Sequence, residues 1–162
     1  MKQLWTPWRL QYMQSHTHNS ECIFCAALNG KNDAETLIVY RAEHGFIILN
    51  RYPYTSAHVM VVPNAHQPSL GLLDDPARQE LMALVTASEA VIGNEYHPHG
   101  FNIGANIGTA AGAGIAGHLH FHIVPRWDGD TNFMSTLGQV RVLPEELGQT
   151  YQRLRAAFQA NL

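Results

Sequence analysis

Residues 118–126 read HLHFHIVPR, a run in which histidines alternate with apolar residues. Successive side chains of a β-strand point to opposite faces, so a strand here puts His118, His120 and His122 on one face. A polar sheet face without further chemistry is one interpretation of this pattern. Binding of one metal ion by all three rings is another, although same-face positions lie roughly 6.7 Å apart and two rings converge on an ion more easily than three. We expect the three imidazoles to have separate tasks.

The segment before this strand, residues 107–117, consists of Gly, Ala and Thr apart from two isoleucines. Backbone N–H groups of such a loop can approach a ligand closely, because few bulky side chains stand in the way. Just upstream, FNIGAN at residues 101–106 predicts another strand. The sequence therefore predicts a glycine-rich loop between two strands, beside the histidine face.

Further strands are predicted nearer the start of the chain. LIVYRAEHGFIIL at residues 37–49 predicts a hairpin that turns at His44 and Gly45. His58–Val62 predicts another strand, which Pro63 closes.

Two helices are predicted from capping signals and periodicity. Asp75 and Pro76 predict the start of a helix that extends to about Tyr96, because an acceptor side chain caps the first turn and proline presets φ. Pro144 predicts the start of a second helix. The apolar residues at helical spacing, which we expect to be buried, are Leu81, Leu84, Val85, Val91 and Ile92 in the first helix and Leu147, Tyr151, Leu154 and Phe158 in the second.

Residues 1–30 show neither pattern, and we expect them to form an irregular arm.

Composition limits the classes of protein to which the chain can belong. With 162 residues, 46% of them hydrophobic, the chain can bury one core but not comfortably two, so we expect a single domain over 1–162. A net charge of −3 provides no basic field for binding nucleic acid. No apolar run approaches the roughly 20 residues of a membrane span, and the start does not read as a secretory leader. We therefore expect a cytoplasmic protein without nucleic-acid or membrane partners.

The only two cysteines, Cys22 and Cys25, stand three residues apart in CIFC. A disulfide across so short a loop is geometrically poor. The spacing is familiar from zinc sites, where two thiolates need about two further N or S ligands. A buried pair of small apolar side chains is an alternative. A redox motif is a weaker alternative, because no helix obviously begins at the motif to lower the pKa of a thiol.

An imidazole is suited to attack phosphorus, because it is neutral near pH 7 and has one lone-pair nitrogen while the other nitrogen orients the ring. The product is a covalent nucleotidyl-histidine that water or another acceptor must resolve. Neighbouring imidazoles and loop N–H groups can stabilise the charge that grows on the phosphate oxygens. No GxxxxGK[ST] loop is present, and the chemistry does not strictly require magnesium.

Two segments resemble the motifs of the histidine triad (HIT) family. NIGTAAGAGIAGHLHFHIVPRW at residues 106–127, preceded by FNIGAN, resembles the family signature. LNRYPYTSAHVMVVPNAH at residues 49–66 resembles the second family motif, in which Asn50 and His58 stand eight residues apart. LWTPWR at residues 4–9 resembles the bacterial branch close to diadenosine polyphosphate hydrolases and phosphorylases.

This resemblance implies a fold and a set of roles. The fold is α+β, a five-stranded antiparallel sheet with two main helices, paired into a homodimer through one continuous sheet. His120, the middle histidine of the triad, matches the family nucleophile, and His122 and His58 surround the transferred phosphate. The residues that match nucleotide contacts are Asn50 near the ribose and Asn106, Gly112, Gly114 and Ile115 near the phosphate.

The resemblance also implies a structural zinc site. Relatives that include the galactose-1-phosphate uridylyltransferases bind zinc through two cysteines, a histidine after the second motif and the first triad histidine. The matching residues are Cys22, Cys25, His66 and His118. Should His66 not be a zinc ligand, His97 and His99 are the best substitutes for it. The histidines expected to be solvated or capping are His16, His18, His44, His97 and His99, and the tryptophans expected in core or interface are Trp5, Trp8 and Trp127.

Two positions depart from the family pattern. Many members have Gln or Ser four residues before the first triad histidine, where this chain has Gly114. Gly114 offers no side-chain donor to a leaving group. Many members also have Gly at the position of Ala57.

The sequence therefore predicts a nucleotide hydrolase or nucleotidyltransferase. Its substrates are purine dinucleoside polyphosphates of the diadenosine tetraphosphate type, or related phosphoesters and phosphoramidates. A non-catalytic zinc-containing nucleotide-binding module is the alternative. A DNA-end or RNA-cap processing enzyme is a further hypothesis, but the chain has none of the basic segments that gripping a polynucleotide requires.

Overall fold

Five β-strands form one antiparallel sheet in the computed structural model, which describes residues 21–130 and 145–162. The strand order is β1-β2-β3-β5-β4, and every neighbouring pair is antiparallel. The predicted α+β class with a five-stranded antiparallel sheet is confirmed. The strands are β1 Ile38–Arg41, β2 Gly45–Leu49, β3 Val59–Pro63, β4 Gly100–Ala105 and β5 Phe121–Arg126.

In the part of the chain that the structure describes, two long α-helices and two short ones accompany the sheet. The helices are α1 Ile23–Asn29, α2 Asp33–Thr36, α3 Asp75–Tyr96 and α4 Leu147–Asn161. The two predicted main helices are present as α3 and α4, although Pro144 lies outside the described residues. None of the helices within the described residues is both long and apolar enough to cross a membrane.

The interpretation of residues 1–30 as an irregular arm is wrong for 23–29, which form α1. This helix has seven residues, about two turns, which is too short for a helical period to stand out in the sequence. Phe24 and Ala27 of α1 are buried in the common core. The remainder of the predicted arm, residues 1–20, lies outside the described part of the chain.

The core lies around the two central strands. β2 and β3 are buried at every residue, as their continuous apolar sequences GFIIL and VMVVP require when both faces of a sheet are covered. Helix α3 packs against β2, β3 and β5, and α4 packs against β1 and α3. The predicted apolar stripes are confirmed, since all of their residues are buried except Leu147, which is half-buried against the core.

Helix α3 is capped one residue earlier than the sequence predicted. The side chain of Asp74, not that of Asp75, accepts a hydrogen bond of 2.9 Å from the N–H of Ala77. Pro76 thus occupies the second helical position, where its missing N–H costs nothing because first-turn N–H groups have no partner within the helix. At the other end, the exposed His97 closes α3 in the left-handed conformation, with φ 47°.

The histidine segment only partly forms the predicted strand. Pairing with β3 begins at Phe121, so of the three histidines only His122 lies within β5. The reason is that β3 ends at Pro63, which has no N–H to continue the ladder. The N–H of Leu119 instead donates to the carbonyl of Gln67 at 2.7 Å. His118 and His120 therefore extend the line of β5 outside the sheet.

Candidate active site

His120 lines the larger of two described cavities, a cleft of about 950 Å³, and is only 5% exposed. Its Nδ1 lies 2.9 Å from the main-chain oxygen of His118. Because a carbonyl oxygen only accepts, Nδ1 carries the proton and Nε2 carries the lone pair. Burial lowers the pKa of His120, and the hydrogen bond to His118 opposes only part of that shift. The ring is therefore neutral near pH 7, the form that can act as a nucleophile.

A second pair of imidazoles lies beside this ring. Nε2 of the fully buried His58 lies 2.9 Å from Nδ1 of His122. The N–H of Tyr54 donates to Nδ1 of His58 at 3.2 Å, so the proton of His58 is on Nε2 and is donated to His122. The proton of a neutral His122 is then on its Nε2. The ring centroids of His120 and His122 are 5.0 Å apart, so an N–H hydrogen-bond donor lies next to the predicted nucleophile.

Asn50 and Tyr54 hold this pair from the turn after β2. The N–H of Asn50 donates to the carbonyl of His58, and its Oδ1 accepts from the N–H of Tyr52. The ring of Tyr54 stacks on His58 with centroids 4.9 Å apart. Sequence reasoning missed Tyr54, whose only signal is an aromatic residue in the turn just before the motif histidine. Asn50 also lines the cleft, as a contact to the ribose requires.

The glycine-rich loop forms part of the same cleft. Asn106, Gly112, Gly114 and Ile115 all line it, as expected for residues near a bound phosphate. Gly112 has φ 85°, a left-handed conformation that favours glycine, and its N–H donates to Thr109 within the loop. The N–H of Gly112 is therefore engaged in closing a turn, so what this residue supplies to the cleft is a backbone without a side chain.

Cys22, Cys25, His66 and His118 form one cluster, with ligand atoms all within 4.8 Å of one another. Nε2 of His118 donates to the carbonyl of Pro63 at 2.9 Å, so the lone pair on Nδ1 faces Sγ of Cys22 at 3.3 Å. Nδ1 of His66 lies 3.3 Å from Sγ of Cys25. Ligands bound to zinc at about 2.0–2.3 Å in a tetrahedron lie roughly 3.3–3.8 Å apart. The distances of 3.3 Å, and that of 3.7 Å between Cys25 and His118, lie in this range. Two sulfurs and two imidazole nitrogens gathered within 4.8 Å fit zinc.

The electrostatics of the cluster do not favour a redox role. A helix does begin at the motif, contrary to the premise of the sequence argument, since α1 starts at Ile23. Even so, burial raises the pKa of Cys25, and the neighbouring Cys22 raises it further. A redox-active thiol needs the opposite shift. Burial lowers the pKa of His118, which favours the neutral imidazole that a metal binds.

His44, His97 and His99 are not members of this cluster. It is the one group of potential metal ligands found in the part of the chain that the structure describes, so His97 and His99 are not needed to replace His66. His99 is exposed and contacts Asp128 at 3.2 Å. His16, His18, Trp5 and Trp8 lie outside the described residues, while His44 and Trp127 are half-buried.

Fold and cleft together define a small α+β protein in which a neutral, oriented imidazole faces a cavity of nucleotide size. The HIT domain family model matches residues 31–129. A protein named AP-4-A phosphorylase from Mycobacterium tuberculosis is 38% identical over 161 residues, which cover 95% of this chain and 83% of that protein. The chain therefore belongs to the histidine triad (HIT) family.

Solved structures agree with this assignment. A zinc-bound histidine triad family protein from Mycobacterium smegmatis has a TM-score of 0.70 and 29% identity, covering 86% of this chain and 94% of that one. A hypothetical histidine triad nucleotide-binding protein from Sulfolobus tokodaii has a TM-score of 0.68 and 26% identity, covering 86% of this chain and 93% of that one. The likeness extends beyond the segment matched by the family model.

Proposed function

We propose that this protein is an enzyme that transfers a nucleoside monophosphate from a dinucleoside polyphosphate to His120 and then to water or inorganic phosphate. Diadenosine tetraphosphate represents the proposed substrate class, and related phosphoesters and phosphoramidates share its chemistry. One observation carries the proposal: the bond from Nδ1 of His120 to the His118 carbonyl leaves a lone pair on Nε2 in the cleft. The similarity to the mycobacterial AP-4-A phosphorylase supports it.

The first step exchanges a phosphorus-oxygen bond for a phosphorus-nitrogen bond. The lone pair of Nε2 of His120 attacks the phosphorus, and the bond to the bridging oxygen breaks with its electron pair on that oxygen. The leaving polyphosphate departs as an anion, and the N–H on Nε2 of His122 donates a hydrogen bond to the phosphate oxygens on which charge develops. His58 orients that N–H through its bond to Nδ1 of His122. In the second step an oxygen of water or phosphate attacks the phosphorus, and the bond to Nε2 of His120 breaks with its electron pair on that nitrogen. When water attacks, its proton passes to solvent.

The cleft suggests how the nucleotide lies. Asn50 stands near the ribose, and Asn106 with the loop residues Gly112, Gly114 and Ile115 surrounds the phosphates. The cleft is also lined by the apolar residues Ile23, Leu37 and Ile48, against which a purine base would be desolvated. Since residue 114 is glycine, the leaving group depends on backbone groups, His122 and solvent.

A structural zinc ion in the cluster of Cys22, Cys25, His66 and His118 is part of this proposal. The ion would hold α1 against the segment that carries the nucleophile, and would not take part in the reaction. Two thiols held beside imidazoles suit a reducing compartment, and we propose a cytoplasmic location. We further propose that residues 1–162 form one domain that pairs as a homodimer through the edge of β4.

The deciding experiment looks for the covalent intermediate. The protein is mixed with diadenosine tetraphosphate and quenched in mild base, and we expect mass spectrometry to find an adenylyl group on His120. His120→Ala should abolish turnover and retain nucleotide binding, whereas His99→Ala, an exposed histidine outside the cleft, should change neither. An adduct on another residue, or turnover by His120→Ala, would contradict the proposal.

Two further measurements refine the assignment. Full nucleotide affinity without turnover by the intact protein would favour the non-catalytic binding module. Product analysis with and without inorganic phosphate separates the two acceptors, because phosphorolysis yields a nucleoside diphosphate where hydrolysis yields a monophosphate.

A further inference from the structure

Phe24 lies between the two cysteines and touches the nucleophile. It is the second residue of α1 and is 2% exposed. Its ring centroid is 4.9 Å from that of His120, with the planes tilted by 43°, and 5.4 Å from that of His118. Phe24 therefore contacts both the ring predicted to attack phosphorus and the histidine whose carbonyl orients that ring.

The hydrogen bond to His118 does not by itself fix the plane of the His120 ring. The terminal torsion of a histidine side chain is broad, so one bond at Nδ1 leaves the ring able to swing about that contact. Neighbouring rings restrict the swing. His122 meets His120 edge to face at 76°, and Phe24 packs against it from α1. The position of Nε2 thus depends on packing as well as on the hydrogen bond.

The placement of Phe24 depends on the cysteines that flank it. A helix of seven residues has little stability of its own in water. Here Cys22 precedes the helix and Cys25 lies in its first turn, and their sulfurs face His118 and His66 at 3.3 Å. The first turn of α1 is therefore held at two points, with Phe24 between them.

The geometry points to Phe24 as a positioning residue for the nucleophile, one that holds the plane of the His120 ring so that Nε2 faces the phosphorus. This inference rests on the proposed function. Phe24 also lines the cleft but is only 2% exposed. Its removal should therefore slow formation of the adenylyl-histidine more than it weakens nucleotide binding. Misplacing a reacting atom by about 1 Å can cost on the order of 100-fold in rate.

The test compares Phe24→Leu with Phe158→Leu. Phe158 is a fully buried phenylalanine of α4 that makes no ring contact with these histidines in the described part of the chain. For Phe24→Leu we expect a single-turnover rate of adenylyl transfer lower by about 10-fold or more, with nucleotide affinity within about 3-fold. Phe158→Leu should lose stability but keep its rate well below its melting temperature.

A spectroscopic readout makes the test independent of turnover. Long-range ¹H–¹⁵N correlation should show His120 of the intact protein as a single neutral tautomer with the proton on Nδ1. In Phe24→Leu we expect a mixture of tautomers or a broadened signal, and in Phe158→Leu the pattern of the intact protein. Phe24→Ala, which removes more of the contact, should shift the tautomer pattern further in the same direction.

Several outcomes would overturn the inference. Equal rate losses in Phe24→Leu and Phe158→Leu would make Phe24 a core residue only. A loss confined to nucleotide affinity would make it a substrate contact. An unchanged rate together with an unchanged tautomer would remove the role altogether. Should the intact protein form no adduct, the proposed function fails, while the tautomer comparison still decides the role of Phe24.

Discussion

Ala57, one residue before the buried His58, has a left-handed backbone with φ 60° and is 1% exposed. That conformation costs a residue with a Cβ roughly 1–2 kcal/mol. Burial of one methyl group contributes about 0.8 kcal/mol in the opposite direction. The alanine at this position, where many relatives have glycine, is therefore tolerated because its side chain packs in the core.

We expect Ala57→Gly to change the free energy of unfolding by less than about 1 kcal/mol, because relief of the backbone strain offsets the lost methyl group. Ala57→Val should lower it by about 2 kcal/mol or more, since a β-branched residue at positive φ clashes with its own backbone and crowds the core. Urea denaturation measures both variants. Ala57→Gly destabilised as much as Ala57→Val would show that packing alone governs this position.

At the residue scale, the sequence predicted the site best where the spacing of residues along a strand decides which side chains lie together. The alternation of His118, His120 and His122 predicted clustered imidazoles with separate tasks, and the structure places one in the cysteine cluster and two at the cleft. The contacts of Phe24 and Tyr54 were missed. Each depends on how a turn or a short helix lies against the sheet, and no periodic pattern encodes that placement.

At the scale of elements, the junction between α3 and α4 is polar. The hydroxyl of Tyr96 donates to Oε2 of Glu145 at 2.6 Å, and Thr150 donates to the same oxygen at 2.7 Å. The guanidinium of Arg153 lies 4.1 Å above the Tyr96 ring. Burial raises the pKa of Tyr96, and the hydrogen bond to Glu145 raises it further.

This junction should make stability depend on alkaline pH. The folded pKa of Tyr96 lies above the unfolded value of about 10, so its contribution is fully present below pH 10. Above pH 10 the unfolded chain loses the proton first, and the contribution declines as pH rises. Tyr96→Phe should therefore cost about 1–2 kcal/mol of unfolding free energy at neutral pH, and less above pH 10. Urea denaturation between pH 7 and about pH 11 measures this difference, and a constant or growing difference would contradict the prediction.

The boundaries of elements show what local patterns can and cannot predict. Alternating and continuous apolar runs located β1 to β4. Helical periodicity located α3 and its large buried residues, but not the buried Ala77 and Ser88. The start of β5 was predicted too early, because the end of pairing depends on Pro63, a residue of the neighbouring strand. Helix α1 was missed because two turns do not establish a period.

At the scale of the whole molecule, the cysteine cluster joins residues far apart in sequence, with Cys22 and His118 separated by 96 positions. A metal ion bound there would link α1 to His118. Because these ligands come together only when the chain is folded, the ion would stabilise the folded state. We expect the purified protein to contain about one zinc ion per chain and a strong chelator to lower Tm by on the order of 10 °C.

The control for this prediction is Cys25→Ser, which removes one sulfur. This variant should have a lower Tm than the intact protein, and the chelator should lower it no further. Metal analysis and calorimetry provide the two measurements. An intact protein that carries no zinc and melts unchanged in the chelator would exclude the proposed ion.

The free edge of the sheet underlies the proposed dimer. Within residues 21–130 and 145–162, β4 pairs with β5 alone, and Ile103 of β4 is 41% exposed. An unpaired strand edge with an apolar side chain is a template for pairing with another chain. We expect the protein to sediment at twice the mass of one chain and Ile103→Glu to sediment as a monomer, because the pairing would bring two carboxylates together. The control is Leu72→Glu, at an exposed apolar residue outside the sheet, and this variant should remain dimeric. A dimeric Ile103→Glu would contradict the predicted interface.

Because β3 stops at Pro63, the three residues from His118 to His120 lie outside the sheet. Their own side chains hold them, together with two main-chain bonds, from Leu119 to Gln67 and from His118 to Ile115. Side chains in this segment can then be replaced without changing the pairing of the sheet, which begins at Phe121. Reactivity can thus diversify in this scaffold during evolution while the architecture beneath it stays the same.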